Sequence, residues 1–260
     1  MALRNRTISV LTGSALLVPL LSLGTTAFAA GEATPPPPQS TAQLCRNVPA
    51  GYQPFTDIAG NTFEQTIECL AFAAVTRGGP GSLPPSQYGP ALTVSRDAMA
   101  SFIARLIDKA DELDTGDSIR ALPAFDGSQR FSDVRGNVHA ESIDRLAEAG
   151  IVQGGPGGRP ADRYVPEEGV SRAQMASFVR RALEYMTGDR FSTPSDYFSD
   201  DENAQPHVAS INAVAAEGIA VGDGRDAYQP AAVIRRDQMS GFLTRTLAVL
   251  EADGDVKPVS

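Results

Sequence analysis

Few side chains in this 260-residue sequence could do chemistry: two histidines, His139 and His207; two cysteines, Cys45 and Cys69; and three arginines, Arg96, Arg172 and Arg236, each eight residues after a tyrosine. Only the histidines would titrate unperturbed near neutral pH, and neither shares a stretch of sequence with a cysteine it could activate. Two cysteines cannot supply a four-thiolate metal site. The acidic runs Asp200-Asp201-Glu202-Asn203 and Asp223-Gly224-Arg225-Asp226 lack EF-hand spacing and read as solvated loops. No serine elbow, phosphate loop or zinc helix is present. Binding is therefore expected rather than catalysis, with no cofactor and no metal. A net charge of −9 without a long basic run argues against nucleic acid and anionic membrane surfaces as partners.

The elements that position these side chains begin after an export signal. Arg4 and Arg6 precede an apolar stretch, Ile8 to Leu23, and Ala27-Phe28-Ala29 offers the small residues of a cleavage site, so residues 1–29 read as a signal peptide. No later segment could span a bilayer. Residues 30–44 hold Pro35-Pro36-Pro37-Pro38 and read as an extended spacer. In an oxidising compartment the two cysteines are expected to form one disulfide, stapling the start of the first repeat to its first helix.

Beyond the spacer the sequence repeats three times. Phe55-Thr56-Asp57 matches Phe131-Ser132-Asp133 at an offset of 76 that holds through Gly78-Gly79-Pro80-Gly81 and Gly154-Gly155-Pro156-Gly157, Tyr88 and Tyr164, and Val94-Ser95-Arg96 and Val170-Ser171-Arg172. A third copy, shorter in its glycine loop, runs through Phe198-Ser199-Asp200, Gly222, Tyr228 and Ile234-Arg235-Arg236. The units are expected at residues 45–110, 131–187 and 198–250, with linkers at 111–130 and 188–197 and a tail at 251–260. Each reads as helix, loop, helix. First helices are predicted over Gln65 to Ala74, Ala140 to Ala149 and Val208 to Glu217, the second of them stopped by Gly150. Second helices begin at Ser95, Ser171 and Arg235, with core stripes Met99, Phe102, Ile103 and Leu106; Met175, Phe178, Val179 and Leu183; and Met239, Phe242, Leu243 and Leu247. Ser171 and Gln174 predict a capping box, whereas Arg235 predicts a frayed or externally capped start. Two helices cannot bury an amphipathic face alone, so the units must pack together, and three suggest a pseudo-threefold, mainly all-α bundle.

Phe-x-Asp, a helix, Gly-Ile, a glycine turn, Tyr-x-Pro and Val-Ser-Arg-x-x-Met-Ala-x-Phe closely resemble the S-layer homology (SLH) repeat in its actinobacterial style, over residues 45 to 250. The resemblance implies an exported protein held non-covalently at the cell wall or cell surface, with grooves between neighbouring repeats that bind secondary cell-wall polysaccharide, often through a pyruvylated sugar. Many relatives carry a Trp near the first helix, and this chain has none.

Arg96, Arg172 and Arg236 stand in the first turn of a helix, where the dipole disfavours a cation. A guanidinium fork beside free helix-start N–H groups would receive a carboxylate. The other reading pairs each arginine with Asp57, Asp133 or Asp200, residues that otherwise serve as turn caps or contact the ligand directly. Gly78, Gly154 and Gly222 would shape turns or admit a sugar to the main chain. His139 and His207 align with Phe63, which points to half-buried packing. The leading function is wall anchoring; the alternative is an envelope adaptor that assembles through a protein partner without reading glycan.

Overall fold

A computed structural model describes residues 33–155, 158–193, 195–222 and 227–260. The signal segment, residues 30–32 and the cluster at 223–226 lie outside the described residues. Six helices are present and no strand among the described residues: α1 Glu64–Phe72, α2 Arg96–Glu112, α3 Ala140–Glu148, α4 Arg172–Thr187, α5 Val208–Ala216 and α6 Arg236–Ala252. The odd-numbered helices are nine residues long and the even-numbered ones sixteen or seventeen. The structure is all-α, as the periodicity required.

The predicted apolar stripes are the core. Met99, Ile103 and Leu106, then Met175, Val179 and Leu183, then Met239, Leu243 and Leu247, are all buried. Gly150 ends α3 with a φ of 73°, and Gly218 follows α5 at 65°. The first unit puts Ala74 in the same left-handed conformation at 57°, a geometry that costs a residue with a Cβ. Ser171 and Gln174 make the expected capping box. At α6 the start is capped and not frayed: Gln238 Oε1 accepts from the Arg235 amide, and Asp237 accepts from both the Gln238 amide and the Arg235 guanidinium.

The helix pairs that touch are not those of one unit. Each short helix packs on the long helix of the preceding unit, α3 on α2 and α5 on α4, and α1 packs on α6; the three long helices also contact one another. The backbone repeats this cycle in front of the long helices. The Val94 amide donates to Ile234 O at 3.0 Å, Ile234 to Val170 O at 2.8 Å, and Val170 to Val94 O at 2.9 Å. The first and third units are thus joined as directly as neighbours in sequence.

Cys45 and Cys69 form the expected disulfide. Val259 donates to Leu44 O at 2.9 Å, bringing the tail to the first unit. The proline-rich segment is not a free spacer, because the Ala33 amide donates to Asp196 O and Gln39 to Gly218 O of the third unit.

Candidate functional site

Each repeat loop is folded by its own aspartate. Asp57 accepts from the amides of Tyr88 and Gly89, Asp133 from Tyr164 and Val165, and Asp200 from Tyr228 and Gln229, at 2.7 to 2.9 Å. These carboxylates hold the Tyr-x-Pro segment over the Phe of Phe-x-Asp, where the two rings lie 5.1 to 5.3 Å apart. Gly78, Gly154 and Gly222 make that fold possible. A Cβ on Gly78 or Gly154 would run into the carbonyl oxygen of Pro85 or Ala161, and one on Gly222 would come within 2.8 Å of Ala227 O. Close approach within the loop demands these glycines.

The repeat arginines connect one unit to the next. Arg96 Nε donates to Tyr164 O at 2.9 Å, Arg172 Nε to Tyr228 O at 2.7 Å, and Arg236 Nε to Tyr88 O at 2.8 Å. Each tyrosine hydroxyl returns a bond to the carbonyl of that same arginine, at 2.8 to 2.9 Å. Each guanidinium carbon lies 4.5 to 4.6 Å from the centre of the tyrosine ring it bonds. The arginines are thus paired with carbonyls and aromatic faces, not with Asp57, Asp133 or Asp200.

The helix-start amides are also engaged. Arg96 and Asp97 donate to Glu168 O and Pro166 O, Arg172 and Ala173 to Ala232 O and Pro230 O, and Arg236 and Asp237 to Leu92 O and Pro90 O. The third amides go to side chains: Ala98 to Asp97, Gln174 to Ser171 and Gln238 to Asp237. The free N–H groups expected beside each arginine are therefore absent at these positions. The acceptors of the first two amides of each helix come from a different unit, which the local sequence could not disclose.

Among the open cavities are three grooves between units, each floored by a repeat arginine and a second arginine nine residues into the next long helix. The first, about 730 Å³, has Arg236, Arg105 and Arg77 with Gly78, Phe102 and His139. The second, about 550 Å³, has Arg96, Arg181, Gly154, Phe178 and His207. The third, about 160 Å³, has Arg172, Arg245, Gly222, Phe242 and Phe63. Arg105, Arg181 and Arg245 escaped sequence reading although they recur at the repeat offset, because a lone arginine on a helix reads as solvent-facing.

Burial, with repulsion from Arg77 and Arg236 behind it, pulls Arg105 down to about 10, and burial with repulsion from Arg172 does the same to Arg245. Arg96, Arg181 and Arg236 are lowered first by burial. Among the described residues none of Arg77, Arg105, Arg236, Arg96 and Arg181 forms an ion pair, so cations outnumber carboxylates in the two larger grooves, where Asp97 lines the first. His139 and His207 sit at the starts of α3 and α5, each Nδ1 2.7 to 2.8 Å from a serine hydroxyl, Ser101 or Ser177, and burial lowers both imidazoles.

The solvated-loop expectation holds at Asp200, Glu202 and Asn203, which are exposed, and fails at Asp201. Asp201 is fully buried in the slot that Ile58 and Val134 fill in the other units, and its Oδ1 has no hydrogen-bond partner. Burial, with Asp196 adding repulsion, pushes it up to about 6. Among the described residues no group of acidic, histidine or cysteine side chains could hold a metal ion, and no helix is long and apolar enough to cross a membrane.

Residues 130–176 and 197–240 match the model of the S-layer homology domain. The chain is also similar to an amylopullulanase of Thermoanaerobacterium thermosulfurigenes, 28% identical over 206 residues, and to the exoglucanase XynX of Acetivibrio thermocellus, 27% identical over 192. These matches cover 78% and 73% of this chain but only 10% and 16% of the relatives. An endo-1,4-beta-xylanase A of Thermoanaerobacterium saccharolyticum is 31% identical over 116 residues, 44% of this chain and 9% of its own length.

Proposed function

With residues 130–176 and 197–240 belonging to the S-layer homology domain family, we propose that this chain is an exported, non-catalytic anchor that holds itself to the bacterial cell wall by binding secondary cell-wall polysaccharide. Its three units stand about a pseudo-threefold axis, and the ligand lies in the grooves between them. The observation that carries this reading is the clustering of guanidiniums that form no ion pair, Arg236 with Arg105 and Arg96 with Arg181. An acidic substituent on the glycan, such as the carboxylate of a pyruvyl ketal, supplies a paired charge and accepts bonds in the fixed geometry that arginine offers. Arg236 and Arg96 each spend Nε and Nη2 on carbonyls and keep Nη1 for ligand. The half-buried imidazoles of His139 and His207 complete these seats.

The test is co-sedimentation of residues 30–260 with the producing organism's walls, before and after removal of the secondary polymer. Binding lost with the polymer, and weakened in Arg77→Glu, supports a glycan anchor; the Arg77 side chain is exposed and bonds to nothing among the described residues, so its reversal leaves folding intact. Absence of binding to intact walls overturns the anchor and leaves assembly on a protein partner.

A further inference from the structure

We propose that the array offers two anion seats and not three, because Phe63 shuts the third groove. This rests on the groove-binding reading above. The groove floors share the repeat arginine, the arginine nine residues into the next long helix and a phenylalanine, Phe102, Phe178 or Phe242, while Arg77 is replaced by Gln153 and Val221. One contact changes in kind, that between the start of a short helix and the long helix beneath it. In two grooves that contact is a histidine on a serine, His139 on Ser101 and His207 on Ser177. In the third it is Phe63 on Gly241.

The two substitutions fit each other. A Cβ on Gly241 would lie 2.9 Å from Phe63 Cε1 and 3.1 Å from Cδ1, so the ring occupies the space that a serine side chain takes elsewhere. Removing the serine makes room for the phenyl group, and the phenyl group removes the polar lining of the seat. The third groove is the smallest of the three, about 160 Å³ against 730 and 550 Å³, in a unit whose glycine loop is also shorter. All three arginines bond a carbonyl at the end of the neighbouring short helix, Arg105 Nε to Val75 O at 2.8 Å, Arg181 to Ile151 O at 3.3 Å and Arg245 Nε to Ile219 O at 2.7 Å, but Arg245 is only 9% exposed while Arg105 and Arg181 stay partly exposed. The cavity left beside Arg245 and Arg172 is bordered by the Phe63 ring where the other grooves offer an imidazole.

The test uses residues 30–260 and a defined probe, the pyruvyl ketal of methyl glucoside, titrated while the arginine Nε–H resonances are followed by NMR. The expected result is saturable shifts at Arg105 and Arg181 and none at Arg245. The double variant Phe63→His/Gly241→Ser gains a shift at Arg245, and the number of sites rises from two to three. Phe63→Ala, which only removes the ring, provides the same readout should the double variant misfold. A wild-type shift at Arg245 equal to the others overturns the proposal, and so does a folded variant that gains no third site. If no arginine shifts, the seats are wrongly assigned; retained binding to intact walls then leaves the anchor standing, and its loss removes both readings.

Discussion

Replacing Arg96 with Met keeps an unbranched apolar stem and deletes the guanidinium, which isolates the link between units. Lost are a bond to Tyr164 O at 2.9 Å, a longer one to Gln153 O at 3.3 Å, and stacking at 4.6 Å on Tyr164 and 5.7 Å on Phe178. Charge-assisted bonds contribute about 1.5 to 3 kcal/mol each and desolvated cation–π contacts about 1 kcal/mol. Release of a buried cation offsets part of this, leaving a cost of about 3 kcal/mol. In a domain of this size that lowers Tm by roughly 6 to 12 °C. Arg236→Met should cost as much, although its partners Tyr88 and Arg77 lie 148 and 159 residues away. Thermal and urea unfolding, followed by circular dichroism and tyrosine fluorescence, measures both. If Arg236→Met cost less than about 1 kcal/mol while Arg96→Met cost its full amount, the cycle of units would be open between the third and the first, and the reasoning would fail.

Four further outcomes are expected. Asp201→Val should stabilise at pH 8 and do little at pH 4: the native carboxyl is raised to about 6, so the wild type is fully stable below the unfolded value of 3.8, loses stability through the window up to 6, and stays penalised above it. The gap is worth at most about 3 kcal/mol, and 1 to 2 kcal/mol after screening and the loss of the Asn212 bond, measurable as a urea midpoint at each pH. Ala74→Gly should be neutral or stabilise by up to about 1 kcal/mol, whereas Gly218→Ala should free the proline-rich segment, since its Cβ would lie 2.7 Å from Pro37 O; proteolysis within residues 33–43 reads this. The lowered imidazoles of His139 and His207 make the unliganded protein lose stability as pH falls below 6.5, yet a bound anion favours the same protons, so wall affinity should rise between pH 7 and 5 and flatten in His139→Gln/His207→Gln.

The sequence displays its local structure well. Apolar periodicity and Gly150 place the first helices within two residues of their observed ends, and the Ser171/Gln174 pair announces a capping box. The repeat arginines stand out as misplaced in a helix first turn, but their reason lies in tyrosine carbonyls of the neighbouring unit, which no local pattern encodes. Asp201 misleads because an acidic run normally means solvent, and only alignment with Ile58 and Val134 shows that it occupies a core slot. The Phe63 alignment correctly indicates packing, and the groove it fills becomes visible only once Gly241 lies beneath it.

In an open repeat array the end units have one neighbour each and fray first, so local opening is cheap at the ends. Here α1 packs on α6, the Val94, Val170 and Ile234 amides close on one another, and Val259 bonds back to Leu44. No unit has a free side from which to peel, and any opening must break two seams at once. Such a chain should unfold as a whole and slowly, with few partly open forms for a protease to cut. Held at the cell surface as proposed, such a chain would be beyond the reach of ATP-driven refolding, and its resistance would be set by the barrier to unfolding more than by the equilibrium it protects.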